Sequence, residues 1–392
     1  MTIAELRCGS LSDLEQRGLV HTPREIAQQP STWLGTLARV RAAGPQLEAA
    51  IKRAGVGTSH PPHVVLLGAG SSDFVGRSIA NLLRLRWRCP TEVIPTTDFV
   101  THAQSLLVPD LPYLSVSFSR SGSSPESVAA LEIALARRPN VPQLIVTCDA
   151  NGKMAKKYAQ HQNAVSLLLD DTVNDRGLAM TSSYSNMVVA GLSLAHWDDL
   201  GSLETIVQAC ADAWRRLLET ADPLAEQLAR RAFSKVYFLG SGALHGVARE
   251  SALKLLELTA GRVNSMSETF LGVRHGPLSA LDSKTLVVGL MSSEPRARRF
   301  ELDLLREIRQ KRLAETVVIV AHDPEPALRQ EADHTLTLEL SRPVQDDYLA
   351  PLMVLFGQLL GLYSSLAQGL RPDTPSPDGV IHRVVSGVEM HP

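Results

Sequence analysis

Val64-Val65-Leu66-Leu67-Gly68-Ala69-Gly70-Ser71-Ser72 and, further on, Val236-Tyr237-Phe238-Leu239-Gly240-Ser241-Gly242-Ala243 decide how this chain reads. Each is an apolar run of strand length that ends in Gly-x-Gly and passes into residues with helical spacing. Runs that stay apolar on both faces belong in a parallel sheet covered on both sides. Glycines placed between such a strand and a helix allow a tight turn. They also leave backbone N–H groups at the positive helix end, where an anion is stabilised.

Working outward, similar strand-like runs follow each of these. In the first half they are Tyr113–Ser119, Gln143–Cys148 and Ala164–Leu169; in the second, Leu286–Met291, Thr316–Ala321 and Thr335–Leu340. Helical spacing fills the gaps, as in Val75–Leu85 and Ser127–Arg138. One offset relates the two series: Gly68 to Gly240, Ser119 to Met291 and Cys148 to Val320 are each 172 residues apart. A shared offset predicts a tandem duplication. The expected fold class is α/β, with two tandem doubly wound, Rossmann-like parallel-sheet domains of four strands each and an N-terminal helical segment. The corresponding boundaries are 1–60 for the helical segment and 61–200 for the first domain. A helical connector at 201–231 precedes a second domain at 232–392, which carries a C-terminal tail. Thr22-Pro23-Arg24-Glu25 reads as a helix start, with a capping hydroxyl and proline in the first turn.

Composition excludes several classes. With 44% apolar and 20% charged residues and a net charge of −2 among 392 residues, the chain has neither the basic excess of a nucleic-acid binder nor the profile of a disordered one. Cys8, Cys89, Cys148 and Cys210 lie far apart without a CxxC pair, which suits free thiols in a reducing cytoplasm. Met1–Arg7 shows no basic-then-apolar leader, so a cytoplasmic location is expected. Tyr348–Leu370 contains no charge, and Gly357 and Gly361 form G-x-x-x-G, long enough in principle to cross a membrane. Pro351, Gln358, Ser364, Ser365 and Gln368 favour instead a helix buried between layers or subunits, so no membrane partner is expected.

The Gly68 turn is a poor dinucleotide fingerprint, because Asp73 stands where a third glycine would and would repel a pyrophosphate. The loop Ser119-Arg120-Ser121-Gly122-Ser123-Ser124 is more specific. Its hydroxyls and guanidinium lie at a strand's carboxyl end, where open α/β sheets bind ligands, and they suit a phosphomonoester. Its counterpart, Met291-Ser292-Ser293-Glu294-Pro295-Arg296, puts an acid where an anion would sit, so phosphate is expected in the first half only. The second half carries ionisable groups instead. Glu250, Lys254 and Glu257 share one helix face, with Leu253 and Leu256 expected on the buried side. Taken alone, that stripe reads either as a solvated face or as part of a reactive site, and His275 in its turn is equally ambiguous. His60 and His63, separated by two prolines, read as linker. No metal and no cofactor are expected.

Together these motifs resemble the tandem sugar-isomerase (SIS) domain proteins over nearly the whole chain. The residues that carry the likeness are Gly68–Ser72, Ser119–Ser124, Ala252–Glu257 and Arg274-His275-Gly276-Pro277. They are similar to the isomerase half of glutamine-dependent glucosamine-6-phosphate synthase. A closer similarity is to the galactosamine-6-phosphate deaminase/isomerases, also called tagatose-6-phosphate ketose/aldose isomerases. To that group also point Thr22–Pro30 with Trp33, Thr96-Thr97-Asp98, Asp175–Ser183 and Arg383–Val388. The resemblance implies a sugar phosphate held by Ser71, Ser72, Ser119, Arg120, Ser121 and Ser124. It makes Glu257 the base that moves a proton between C1 and C2, Lys254 a residue lining the sugar, and His275 a helper in ring opening. His275 would be supplied across a subunit contact, which implies a homodimer or larger homo-oligomer with shared active sites. Ser182, Glu250 and Arg383 are implied as weaker substrate contacts. Departures are Ser71 where threonine is commoner and His382 where asparagine often precedes the arginine. The expected reaction turns D-galactosamine 6-phosphate into D-tagatose 6-phosphate and ammonia. Rivals are a fructosamine- or glucosamine-phosphate deglycase or isomerase, and a non-catalytic sugar-phosphate sensor.

Overall fold

A computed structural model describes residues 1–391 except 109, 377 and 386, so Ser386 of the Arg383–Val388 run lies outside the described residues. Helices α1 (Ile3–Leu6), α2 (Leu11–Arg17) and α3 (Thr22–Arg53) lead into the first series. It runs β1 (His63–Gly68), α4 (Ser71–Trp87), β2 (Thr91–Pro95), α5 (Thr96–Leu106), β3 (Tyr113–Ser119) and α6 (Pro125–Arg137). Then come β4 (Gln143–Thr147), α7 (Lys153–Lys157), β5 (Ala164–Leu168) and α8 (Ser182–Ala195). A long α9 (Leu200–Ala229) precedes β6 (Lys235–Gly240), α10 (Ala243–Leu258), β7 (Asn264–Glu268), β8 (Thr285–Leu290) and α11 (Pro295–Gln310). The second series closes with β9 (Thr316–His322), α12 (Pro326–Gln330), β10 (His334–Leu338), α13 (Ala350–Met353) and α14 (Leu355–Ala367).

Both sheets are five-stranded and parallel, in the orders β2-β1-β3-β4-β5 and β7-β6-β8-β9-β10. The strand order reverses between β1 and β3 and again between β6 and β8. Such switch points are where open α/β sheets take ligands. Five strands per sheet, rather than four, is a correction. The unread strands, Thr91-Glu92-Val93-Ile94-Pro95 and Asn264-Ser265-Met266-Ser267-Glu268, are edges paired on one side only. An edge strand needs no continuous apolar run, and these two have none. The 172-residue offset holds at the centre, where Leu67 pairs with Ser117 and Leu239 with Gly289. One strand further it does not: Ser115 pairs with Gln143 but Val287 with Val317, and 317 − 143 is 174. The equivalence of Cys148 with Val320 is therefore two residues out, and helices of unequal length, 13 residues in α6 and 16 in α11, lie between.

The chain forms two compact units, each discontinuous in sequence. One comprises 1–30, 176–181 and 208–381 and contains the second sheet; the other comprises 31–175, 182–207 and 382–392 and contains the first. In the first-sheet unit Val65, Leu67, Ile94, Phe99, Tyr113 and Ala134 form a core cluster. In the second-sheet unit Leu239, Phe270, Val287, Leu304, Ile308 and Ile319 do the same. The start of α3 belongs to the latter unit, and its cap comes from far along the chain. The Thr22 N–H and hydroxyl donate to Asp373 at 2.7 and 2.8 Å, and the His21 N–H donates to the same carboxylate at 3.1 Å. A carboxylate at a helix N-terminus satisfies orphan donors and complements the dipole.

The uncharged stretch forms α13 and α14, and 89% of the 18-residue window Ala350–Ala367 is buried. The G-x-x-x-G is a contact surface for α10. A Cβ on Gly357 would lie 2.3 Å from the Ser251 hydroxyl oxygen, and one on Gly361 would lie 2.8 Å from Leu258 Cδ1 and 3.2 Å from the Lys254 carbonyl oxygen. Overpacking of this kind costs about 1–3 kcal/mol. Gly357→Ala is accordingly expected to lower stability by that amount in urea melts, and an unchanged midpoint would contradict the contact.

Candidate active site

The two glycine turns share one backbone conformation. Gly70 has φ 57° and ψ −127°, and Gly242 has φ 58° and ψ −128°. Gly68 is confined from another side: a Cβ there would meet the Ser72 carbonyl at 2.3 Å. Ser71 and Ser72 consequently open the 17-residue α4 as its first two residues, both nearly buried. Their hydroxyls and amides stand at the positive end of a long helix.

Across the switch point, β3 delivers Ser119 and the loop that follows. The Ser119 hydroxyl oxygen accepts the Gly122 N–H at 3.1 Å, while Gly122 takes a left-handed φ of 55°. The Ser121 hydroxyl oxygen accepts the Ser123 N–H at 3.3 Å. Ser124 caps α6, accepting the Ser127 N–H at 3.3 Å. These bonds fold the loop back on itself at the carboxyl end of β3, so Ser71, Ser72, Ser119, Arg120, Ser121 and Ser124 all lie at the C-terminal edge of two adjacent strands. Asp73 turns to Arg77, 2.7 Å away, and its charge is matched locally.

Arg120 is buried and donates to the Arg383 carbonyl oxygen at 2.6 Å. Arg383 in turn donates through its guanidinium to the Asp175 carbonyl oxygen and the Asn174 side chain. It therefore fastens the tail to the segment before α8. Ser182, fully buried, gives its N–H to the Asp175 carboxylate at 3.0 Å, and Ser183 donates to the same group. Both sit in a structural helix cap. Nothing in the sequence marked Asp175 as its centre.

In the second-sheet unit the charged stripe of α10 faces inward. Glu250 and Lys254 are 0% exposed and Glu257 is 29% exposed, whereas Leu256, expected on the buried side, is 44% exposed. The solvated-face alternative is thereby overturned. The Lys254 Nζ lies 3.3 Å from Glu250 Oε1 and 2.6 Å from Glu257 Oε2. Burial alone would push the lysine's pKa down; Glu250 and Glu257 outweigh it and hold the pKa above its ordinary value. The result is a carboxylate, Glu257, anchored on one side by a buried cation and open on the other. That is the form of a positioned general base. His275 is exposed at the end of the Gly272–Arg274 turn, where its N–H donates to the Gly272 carbonyl oxygen at 2.9 Å. Among the described residues no group of His, Cys, Asp and Glu is arranged to hold a metal ion.

The second unit's own switch point is occupied by acids. The Ser293 N–H and hydroxyl donate to Asp346 at 2.7 and 2.6 Å, the Ser292 hydroxyl donates to the same carboxylate, and the Ser292 N–H donates to Glu301 at 2.9 Å. Burial pushes Glu301 up to about 7, against the opposing pull of its hydrogen bonds. A carboxyl raised from 4.5 to about 7 in the fold binds its proton more tightly folded than unfolded. Stability therefore falls as pH rises through that window, by roughly 3 kcal/mol in all. Glu301→Gln is expected to remove this loss, so the variant gains on wild type between pH 5 and pH 8 in urea melts. A constant difference at both pH values would contradict it.

The SIS domain family matches residues 59–197 and 231–365. The AgaS protein of Streptomyces coelicolor is 39% identical over 95% of this chain and 95% of its own length. The D-galactosamine-6-phosphate deaminase AgaS of Escherichia coli is 36% identical over 95% of both chains. Among solved structures, tagatose-6-phosphate ketose/aldose isomerase from Escherichia coli superposes with a TM-score of 0.85 at 34% identity, covering 95% of this chain and 96% of that one. A duplicated parallel sheet, a serine-rich cradle at the first switch point and likeness along almost the full length of both relatives lead to one conclusion: the chain belongs to the tandem SIS-domain family, in the branch of the D-galactosamine-6-phosphate deaminases and tagatose-6-phosphate ketose/aldose isomerases.

Proposed function

We propose that this protein is an aldose–ketose isomerase/deaminase that converts D-galactosamine 6-phosphate and water into D-tagatose 6-phosphate and ammonia. The observation that carries the reading is the anchored but open Glu257, backed by a fully buried lysine. The serine cradle and Arg120 take the phosphate. Binding energy from that remote group holds a flexible open-chain sugar in a reactive pose. Glu257 removes the proton from C2 of the open-chain amino aldose and returns it to C1, while O1 gains a proton and the amino group loses one, so that C1 becomes an alcohol and C2 an imine. Water adds to that imine and ammonia departs, giving the ketose. The step needs a positioned carboxylate and a second acid–base group for ring opening, and His275 serves as the latter.

The same reading makes the protein a cytoplasmic homo-oligomer in which His275 serves a neighbouring subunit's site. Its partner is a small sugar phosphate, with neither nucleic acid nor membrane involved. Arg383 acts on the phosphate through Arg120 rather than by touching the sugar, and Glu250 acts through Lys254. The test is ammonia release over a panel of galactosamine 6-phosphate, glucosamine 6-phosphate and a fructosamine phosphate. Preference for the first is expected. Preference for a fructosamine phosphate would make the protein a deglycase, and silence on all three, with phosphate-dependent binding retained, would make it a sensor.

A further inference from the structure

The matching turns at Gly70 and Gly242 mean that both halves build the same strand–turn–helix at their switch points. In the second half the loop after β8 still presents two hydroxyls and two amides there, at Ser292 and Ser293, which lie 172 residues after Arg120 and Ser121. Three of these four donors converge on one carboxylate, Asp346, and the fourth goes to Glu301. Asp346 comes from a 3₁₀ turn, Asp346–Tyr348, more than 50 residues away, so it is brought to the loop by the fold rather than by local sequence. Convergent hydroxyls and amides on a single oxyanion are the arrangement by which proteins bind phosphate.

We propose that the second half retains a working oxyanion cradle and that Asp346 is its built-in occupant, holding the place that a phosphate or carboxylate anion would take. A separate cavity of about 260 Å³, lined by Ser241, Phe270, Arg296 and Ala297 but not by Ser292, Ser293 or Asp346, lies beside this loop. Glu294 and Glu301 also line it and oppose an incoming anion. Removing Asp346 alone therefore opens a weak site, and removing the Glu301 charge as well strengthens it. Because the occupant is covalently part of the chain, the loop after β8 keeps its liganded shape whether or not substrate is present. The 3₁₀ turn that carries Asp346 packs on α10, the helix of Lys254 and Glu257. The inference rests on the reading of the first half as a phosphate site only for its choice of anion.

The experiment is a calorimetric titration of the full chain with inorganic phosphate, comparing wild type with Asp346→Ala/Glu301→Gln. The expected stoichiometry rises from one phosphate per chain to two. A folded double variant that binds the same number as wild type overturns the proposal. Wild type binding none while the variant binds one would refute the first-half phosphate site and leave this inference standing. Should the variant unfold in plain buffer, urea melts in phosphate and in chloride at matched ionic strength decide the matter. The proposal requires phosphate, and not chloride, to restore a cooperative transition; failure of both to do so overturns it.

Discussion

Glu257→Gln is expected to slow ammonia release from D-galactosamine 6-phosphate by about 10²- to 10⁴-fold, the usual contribution of a positioned general base. The substitution keeps shape and hydrogen bonding. A glutamine oxygen can still accept from the Lys254 ammonium, which stands 2.6 Å from the present carboxylate. What it loses is the ability to take a proton from carbon. KM and the binding of a non-reacting sugar phosphate should therefore stay near their wild-type values, because phosphate recognition is assigned to serines and Arg120 on other elements. A loss confined to kcat identifies the base. Full turnover in the variant would remove Glu257 from that role, and a loss of fold would show as an altered melting transition.

Lys254→Met carries the second large effect, this time on stability as well as rate. Glu250 and Lys254 are both fully buried, and the lysine is the cation that the pair shares with Glu257. Removing one member of a buried ion pair leaves the other charge uncompensated, at a cost of about 3–5 kcal/mol. Methionine matches the lysine's length, so packing loss adds little. The double variant Glu250→Gln/Lys254→Met should recover most of the stability, since neither charge then remains in the interior, but it should stay inactive. Equal destabilisation of the single and double variants would show that packing, not charge, is at stake. The sign of the pH effect follows from the raised lysine pKa. The stabilisation is complete below the ordinary value of 10.5 and is lost only as pH rises above it.

Much of this is legible in the sequence. The central strands announce themselves because burial on both faces demands apolar residues at every position, as in β3, whose seven residues are all buried. Edge strands β2 and β7 face weaker demands, so their mixed sequences carry no such signal. The charged stripe of α10 shows a different limit. Helical spacing places Glu250, Lys254 and Glu257 on one face, but it does not say which face is covered, and Leu256 lies on the exposed one. The bonding roles of Asp346, Glu301, Asp175 and Asp373 escape the sequence for a third reason. Each acts on backbone or hydroxyl groups distant in sequence, or within a cap whose other half is not apparent from composition. Ser182, which the resemblance places among the weaker substrate contacts, gives its backbone N–H to the Asp175 carboxylate.

The glycine contact between α14 and α10 bears on how this unit assembles. Ser251 and Gly357, which touch, are separated by 106 positions, and α14, which covers α10, carries no charged residue. Contacts of such long sequence separation form late in folding because loop closure must be achieved first. During synthesis α10 is made well before its cover, so its buried lysine and glutamate remain in water until α14 emerges. The ion pair is then desolvated in one late step. Conditions that slow that step leave a long apolar helix without its partner, which is the state most prone to aggregate.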